Sequence, residues 1–126
     1  MPAQVAVKSF RGSEFEALIN ENGLVFVDFW TPWCAPCRHF GEIYEKTASN
    51  HRDIVFAKIN IEEEPELAEA FHIRSVPHLM VLKLGIVIYS ESGSIPESTL
   101  TELIQQARDA DVSELREQID KDEAAA

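Results

Sequence analysis

Residues 24–37 read LVFVDFWTPWCAPC, and this stretch decides the fold. It opens with an apolar run that only Asp28 interrupts, which is typical of a central strand buried on both faces. The only cysteines of the chain, Cys34 and Cys37, follow at once and bracket an Ala-Pro pair where a helix can begin. This spacing lets one thiol attack a disulfide while the other displaces the first, so the pair can carry a complete exchange reaction.

Three other uses of a Cys-x-x-Cys pair must be weighed. Zinc needs four ligands, and the four histidines show no suitable spacing, although His39 or His78 could fold back toward the cysteines. Covalent haem attachment needs a histidine directly after the second cysteine, where Arg38 stands. Two inert structural thiols are awkward to explain at a helix start. A redox pair therefore accounts for the spacing best, and we predict no metal site.

The composition favours one soluble globular domain. The chain has 126 residues, of which 45% are hydrophobic and 26% charged, which suits a packed core. Its formal net charge of -11, without a cluster of basic residues, argues against binding to nucleic acid. The N-terminus lacks the pattern of a secretory signal, and no apolar run reaches membrane-spanning length. We therefore expect a cytoplasmic protein, where closely spaced cysteines are more often catalytic than structural.

Strand-like and helix-like segments alternate along the chain, which favours an α/β sheet with helices on its faces. The predicted strands are residues 5–10, which are weak, 24–30, 54–59, 79–84 and 86–91. The last two strands are joined around Gly85 and predict a tight hairpin. The predicted helices are a segment between residues 13 and 22, residues 34–48, residues 65–71, and a last helix with Leu100, Leu103, Ile104 and Ala107 on one face. Ser13 and Glu16 resemble a capping box for the first helix.

Placed where a central strand passes into a helix, the cysteine pair makes the chain resemble a thioredoxin over residues 8–108. The markers stand in family order: Asp28, Trp30, WCAPC from Trp33 to Cys37, Lys58, Val76-Pro77, Gly85 and Gly93. The resemblance implies a central mixed five-stranded sheet flanked by four helices, with a thioredoxin domain at residues 1–108. An acidic C-terminal extension, helical or frayed, would occupy residues 109–126.

The extension contains seven acidic and two basic residues. Val112, Leu115 and Ile119 are spaced for one helical face, and Asp111 with Glu114 could cap such a helix. We expect an extra helix that frays into a solvated tail rather than a device for binding a partner.

The chemistry of the pair follows from its place at the helix start. Cys34 would meet the unpaired N–H groups and the positive end of the helix dipole, which favour a thiolate, so Cys34 is the predicted nucleophile. Cys37, one turn later and less exposed, would resolve the mixed disulfide. Asp28, set in an apolar strand, must find a partner or take up a proton. The resemblance implies that Asp28 relays a proton for the resolving thiol, with Lys58 close to it.

The resemblance also implies a substrate-binding surface around the cysteines. Its residues are Trp33, Ala35, Pro36, Val76, Pro77 and Gly93. Pro77 would form a cis peptide bond facing the disulfide, and the main chain of Val76 would pair with an extended substrate segment. Gly93 would complete an apolar rim.

Four positions depart from the family pattern. Ala35 stands in place of the usual glycine, and Glu42 replaces the proline that kinks the active-site helix. His78 occupies a position where a small hydroxyl residue is common, and it could tune the thiols or face solvent. Leu84-Gly85 replaces the usual Asn-Gly turn.

The sequence therefore predicts a monomeric cytoplasmic thioredoxin that reduces disulfides in substrate proteins. It would hold no bound cofactor and take electrons from NADPH through a thioredoxin reductase, as the resemblance implies. Neither nucleic acid nor membrane is an expected partner. Two alternatives remain open: a disulfide oxidant or isomerase of an exported compartment, and a redox-gated binding or chaperone subunit.

Overall fold

The computed structural model describes residues 6–125 and arranges them as a mixed sheet with helices on both faces. The strands are β1 Val7–Ser9, β2 Leu24–Trp30, β3 Val55–Asn60, β4 His78–Lys83 and β5 Ile86–Ser92. The helices are α1 Gly12–Glu21, α2 Ala35–Ala48, α3 Pro65–Ala70, α4 Glu97–Asp109 and α5 Ser113–Ala125. The predicted fold class is confirmed, and the acidic extension forms the fifth helix.

The strand order is β1-β3-β2-β4-β5, so β2 lies at the centre of the sheet. Strands β1 and β2 run parallel to β3, whereas β4 runs antiparallel to both β2 and β5. Asp28 on β2 pairs in register with Lys58 on β3 and with Leu79 on β4. The carboxyl end of β2 leads directly into the cysteine turn, which therefore lies at one end of the sheet.

Each face of the sheet has its own apolar core. One core packs α2 and α4 against the sheet through residues such as Phe26, Phe40 and Leu100. The other packs α1 and α3 against it and contains Val27 and Phe29. Because side chains alternate along a strand, Asp28 belongs to the face that α2 covers.

The predicted start of the first helix is wrong. Helix α1 begins at Gly12, and the Arg11 backbone N–H donates to the Glu14 carboxylate at 2.9 Å, two positions before the expected Ser13 capping box. The Arg11 side chain is also held by Glu64, at 2.8 Å from Nε to Oε1. This contact fixes where the chain enters the helix. The first strand spans only three residues, and residue 5 of its predicted range lies outside the described residues.

The β4–β5 hairpin is confirmed. Leu84 and Gly85 have φ values of 51° and 78°, the left-handed pair required by a tight two-residue turn. The Leu84 N–H donates to the Gly23 carbonyl at 2.8 Å, which ties the turn to the start of β2. This turn therefore lies at the opposite end of β2 from the cysteines.

Helix α5 is attached to the same end of the sheet. The Asp111 carboxylate accepts from the Ser113 N–H at 3.0 Å, whereas the expected capping box pairs Asp111 with Glu114. The Arg116 side chain donates to the Leu84 carbonyl at 3.0 Å. Of its predicted apolar face, Val112 is buried and Ile119 half-buried, but Leu115 is 57% exposed. The predicted apolar face is therefore buried at Val112, partly covered at Ile119 and open at Leu115.

Candidate active site

The two cysteines lie at the start of α2. Cys34 is the N-cap residue, and its Sγ accepts from the Cys37 N–H at 3.1 Å. Pro36 occupies the first turn, where its missing N–H costs nothing. The two sulfur atoms form a disulfide. The sequence-based placement of the pair at a helix start is therefore correct, and the first backbone donor of the helix points at Cys34.

The loop before β4 closes over Cys34. Its Sγ lies 3.8 Å from the carbonyl oxygen of Val76, and the Val76–Pro77 peptide bond is cis, as the resemblance implied. The Gly93 N–H donates to the Pro77 carbonyl at 2.8 Å. Three of the predicted substrate-binding residues are thus brought together beside the nucleophile.

A groove of about 550 Å³ opens beside Cys34. Ala35 and Pro36 form part of it and are exposed, whereas Trp33 is 68% exposed and donates its indole N–H to the Glu62 carboxylate. The groove also includes Arg74 and Ser75, next to Val76. Gly93 is not among its lining residues.

Glu62 and Arg74 are groove residues that the sequence analysis missed. Both belong to loops that meet only at the sheet end where the cysteines lie, since Glu62 follows β3 and Arg74 precedes β4. The one signal in the sequence is that the carboxyl ends of parallel strands gather at a common edge, which favours loops after β2 and β3 as neighbours of a site.

Asp28 is 3% exposed, and its Oδ1 has no hydrogen-bond partner among residues 6–125. Burial raises the pKa of this carboxyl from 3.8 to about 8, and the positive charge of Lys58 opposes the rise without cancelling it. Of the two outcomes expected from the sequence, a partner or a proton, the structure favours the proton.

Lys58 lies beside Asp28 but does not form an ion pair with it. The two residues are register partners on β2 and β3, so their side chains leave the same face of the sheet. The Nζ of Lys58 lies 5.3 Å from the centroid of the Trp30 ring, which is a cation–π distance. Lys58 thus affects the pKa of Asp28 through space.

A second cavity, of about 760 Å³, reaches Asp28 from the side of α2. Lys58, Arg38 and Glu42 line it as well. Helix α2 is continuous through Glu42, the position of the family proline. The buried carboxyl therefore has a route toward solvent along a wall that carries charged side chains.

The side chain of His78, the first residue of β4, contacts neighbouring side chains on the sheet and does not simply face solvent. Its Nε2 lies 2.7 Å from the Ser90 hydroxyl, and its ring meets Phe29 edge-on at 6.2 Å between centroids. It is half-buried, and burial lowers its pKa below 6.5. By strand alternation His78 lies on the face opposite to Asp28.

Two observations concern metals and membranes. Within residues 6–125, no three His, Cys, Asp or Glu side chains are grouped closely enough to hold a metal ion. In the same part of the chain, every helix is too short or too polar to cross a bilayer.

A sequence model of the Thioredoxin family matches residues 6–106. The chain belongs to the thioredoxin family. It is 41% identical over 112 residues to a Streptomyces coelicolor protein provisionally named thioredoxin 2, covering 89% of this chain and 84% of that protein. It is 36% identical over 105 residues to a thioredoxin of Pyropia yezoensis, covering 82% of this chain and 94% of that protein.

Solved thioredoxin structures have the same fold. Thioredoxin f from spinach chloroplasts superposes with a TM-score of 0.75 at 32% identity, covering 86% of this chain and 99% of that chain. A thioredoxin mutant from Halobacterium salinarum gives a TM-score of 0.78 at 27% identity, covering 88% of this chain and 99% of that chain. Thioredoxins are thiol-disulfide oxidoreductases without a bound cofactor, and this chain is such an enzyme. Its Cys34–Cys37 pair exchanges with disulfides of protein substrates.

Proposed function

We propose that this thioredoxin reduces protein disulfides with Cys34 as the nucleophile and Cys37 as the resolving thiol. The observation that carries the assignment is the Cys37 N–H directed at the Cys34 sulfur at 3.1 Å. A helix N-terminus stabilises negative charge on the capping atom, so Cys34 is the cysteine held as a thiolate.

The reaction balances in two exchange steps. The Cys34 thiolate attacks one sulfur of a substrate disulfide, which forms a mixed disulfide and releases the other substrate sulfur as a thiolate. Cys37 loses its proton and attacks the Cys34 sulfur, which releases the second substrate thiolate and closes the Cys34–Cys37 disulfide. The substrate gains two electrons, and the enzyme dithiol loses two.

Asp28 is the proposed acceptor of the Cys37 proton. Its pKa of about 8 is close to the ordinary thiol value of about 8.5, so the proton is shared between groups of similar basicity. Asp28 also lies on the sheet face covered by α2, the helix that carries Cys37. Lys58 is a positioning residue that lowers the pKa of Asp28.

Substrate segments are proposed to bind in the groove beside Cys34. Val76 offers a main-chain carbonyl 3.8 Å from the reacting sulfur, which suits an extended segment added as a strand. The groove walls are supplied by Trp33, Ala35 and Pro36. Pro77 and Gly93 do not line the groove, and we propose that they contact substrate next to it, where the Gly93 N–H bonds to the Pro77 carbonyl.

The cellular setting is also a proposal. We propose a monomer of the cytoplasm that is re-reduced by thioredoxin reductase with electrons from NADPH and that contacts neither nucleic acid nor membrane. The net charge of -11 supports the exclusion of nucleic acid. Residues 1–108 would form the catalytic domain and residues 109–126 an appended extension. The attachment of α5 at the Leu84 turn, away from the cysteines, supports this division. Neither alternative function is favoured by an observation in residues 6–125.

The test is reduction of insulin disulfides in the presence of NADPH and thioredoxin reductase. The rate is measured as consumption of NADPH. Cys34→Ser is expected to abolish turnover, whereas Cys37→Ser should accumulate a mixed disulfide with substrate that mass spectrometry detects. Lys121→Gln, on the exposed face of α5, is the matched control. Faster alkylation of Cys37 than of Cys34 in the reduced protein would overturn the assigned roles.

A further inference from the structure

Arg74 is an unpartnered cation in the groove beside Cys34. It is exposed, it lines the groove, and the structure gives it no hydrogen bond or ion pair with any residue in 6–125. The other arginines of the chain all have partners: Arg11 with Glu64, Arg38 with the Pro32 carbonyl, Arg108 with Asp53, Arg116 with Leu84 and Asp120, and Arg52 with a further contact.

Glu62 is the one acidic residue among those that line the groove. The Glu62 carboxylate accepts from the Trp33 indole N–H. Glu63 and Glu64, which follow it, are both within salt-bridge distance of Arg11. An indole N–H is uncharged, so Glu62 contributes a carboxylate to this groove, and Arg74 is the one cation among the residues that line it. The forked donors of its guanidinium match a carboxylate on a ligand.

The position of Arg74 sets which part of a substrate it meets. It lies two residues before Val76, whose carbonyl is 3.8 Å from the Cys34 sulfur. Two extended residues span roughly 7 Å, and the arginine side chain adds several more. A substrate segment that pairs with Val76 and presents its own cysteine to Cys34 thus brings neighbouring residues within reach of Arg74.

We propose that Arg74 makes this enzyme prefer protein disulfides in which an Asp or Glu lies within three residues of the attacked cysteine. This inference rests on the proposed function at Cys34. Two features oppose this preference: the Glu62 carboxylate in the same groove, and the net charge of -11, which acts at longer range. At physiological salt the screening length is about 8 Å, and the acidic α5 is attached at the far end of β2, roughly 20 Å away. The contact with Arg74 therefore outweighs the general repulsion.

The experiment uses three disulfide-linked peptide dimers that differ only at the residue after cysteine, which is Glu, Gln or Lys. Reduction by the full-length enzyme is followed with NADPH and thioredoxin reductase. Each kcat/KM is divided by the rate with dithiothreitol, which corrects for the different thiol basicities of the peptides. The wild-type enzyme is expected to favour the Glu peptide over the Lys peptide by about fivefold, and raised salt should lower that ratio.

Arg74→Gln is expected to bring the Glu/Lys ratio close to one, and Arg74→Lys to retain part of it. Lys121→Gln removes the same charge from α5 and should keep the full ratio. A ratio near one in the wild type, or an unchanged ratio in Arg74→Gln, would overturn the inference while reduction of the Gln peptide still upheld the proposed function. Failure to reduce the Gln peptide would refute the proposed function, and the inference with it.

Discussion

Replacing Asp28 with Asn should make the stability of the oxidised protein far less dependent on pH. Burial raises the pKa of Asp28 from 3.8 to about 8, so the folded protein keeps a proton that the unfolded chain releases. For a carboxyl shifted in this direction, the free energy of unfolding falls as pH rises from 3.8 to about 8 and is constant above that. Each pKa unit corresponds to about 1.4 kcal/mol, so the total loss is on the order of 6 kcal/mol.

The Asn side chain has nearly the same shape and does not titrate. Its amide leaves buried donors unsatisfied, at a cost of about 1–3 kcal/mol, so the variant should exceed the wild type by about 3–5 kcal/mol at pH 9. Near pH 4 the order should reverse, because the folded carboxyl is then neutral and the unfolded one is only about half ionised, so little of the loss has yet occurred. Asp28→Ala replaces the amide penalty with a small cavity and should show the same trend with pH.

The assay is guanidinium unfolding of the disulfide form at intervals from pH 4 to pH 9. In that form Cys34 and Cys37 do not titrate. His78, whose pKa burial lowers, adds a rise in stability as pH increases through its titration below 6.5, and the difference between wild type and variant removes this contribution. If the difference in free energy of unfolding between wild type and variant stays constant from pH 4 to pH 9, Asp28 is ionised in the folded protein, and the reasoning is refuted.

Three further outcomes are expected. Lys58→Met should raise the pKa of Asp28 further, because the positive charge that opposes the effect of burial is gone. An NMR titration of the Asp28 carboxyl measures this pKa, and a lower value would contradict the role given to Lys58. Lys83→Met should lower the free energy of unfolding by about 1–3 kcal/mol, since the Lys83 ammonium donates to three carbonyls at the end of α4. It should not slow insulin reduction. Unchanged denaturant melts would argue against a stabilising role for Lys83. Leu84→Asn should stabilise the hairpin by about 0.5–1 kcal/mol, because φ is 51° there and Asn tolerates the left-handed region; a lower melting temperature would speak against this strain.

The sequence predicted the elements whose apolar pattern matches their burial. The bounds of β2 are those expected, because the apolar run at residues 24–30 is covered on both faces. The start of α1 was misplaced because the Arg11 backbone N–H pairs with Glu14, and nothing in the residue pattern distinguishes that pair from Ser13 with Glu16. Leu115 has helical spacing but stays exposed, since the contacts that attach α5 are made by Val112, just before the helix, and by Arg116.

The site was predictable where one short segment carries it. Cys34 and Cys37 depend on a local helix start, and Asp28 on a polar residue in an apolar strand. Glu62 and Arg74 come from two loops that meet only in the folded chain, so their shared groove has no local pattern. Likewise, the contact of His78 with Ser90 depends on the register of β4 and β5.

The cover over the two sulfur atoms has a consequence for the cell. Cys34 exposes 6% of its surface and Cys37 exposes 4%, although Trp33 beside them is widely exposed. A small disulfide that collides at random with this protein therefore seldom touches sulfur, whereas a segment seated beside Val76 is delivered to it. Exchange between thiol pools requires contact between sulfur atoms. The protein thus acts as an insulated conductor, and its electrons reach folded partners without leaking into the small dissolved disulfides that surround them.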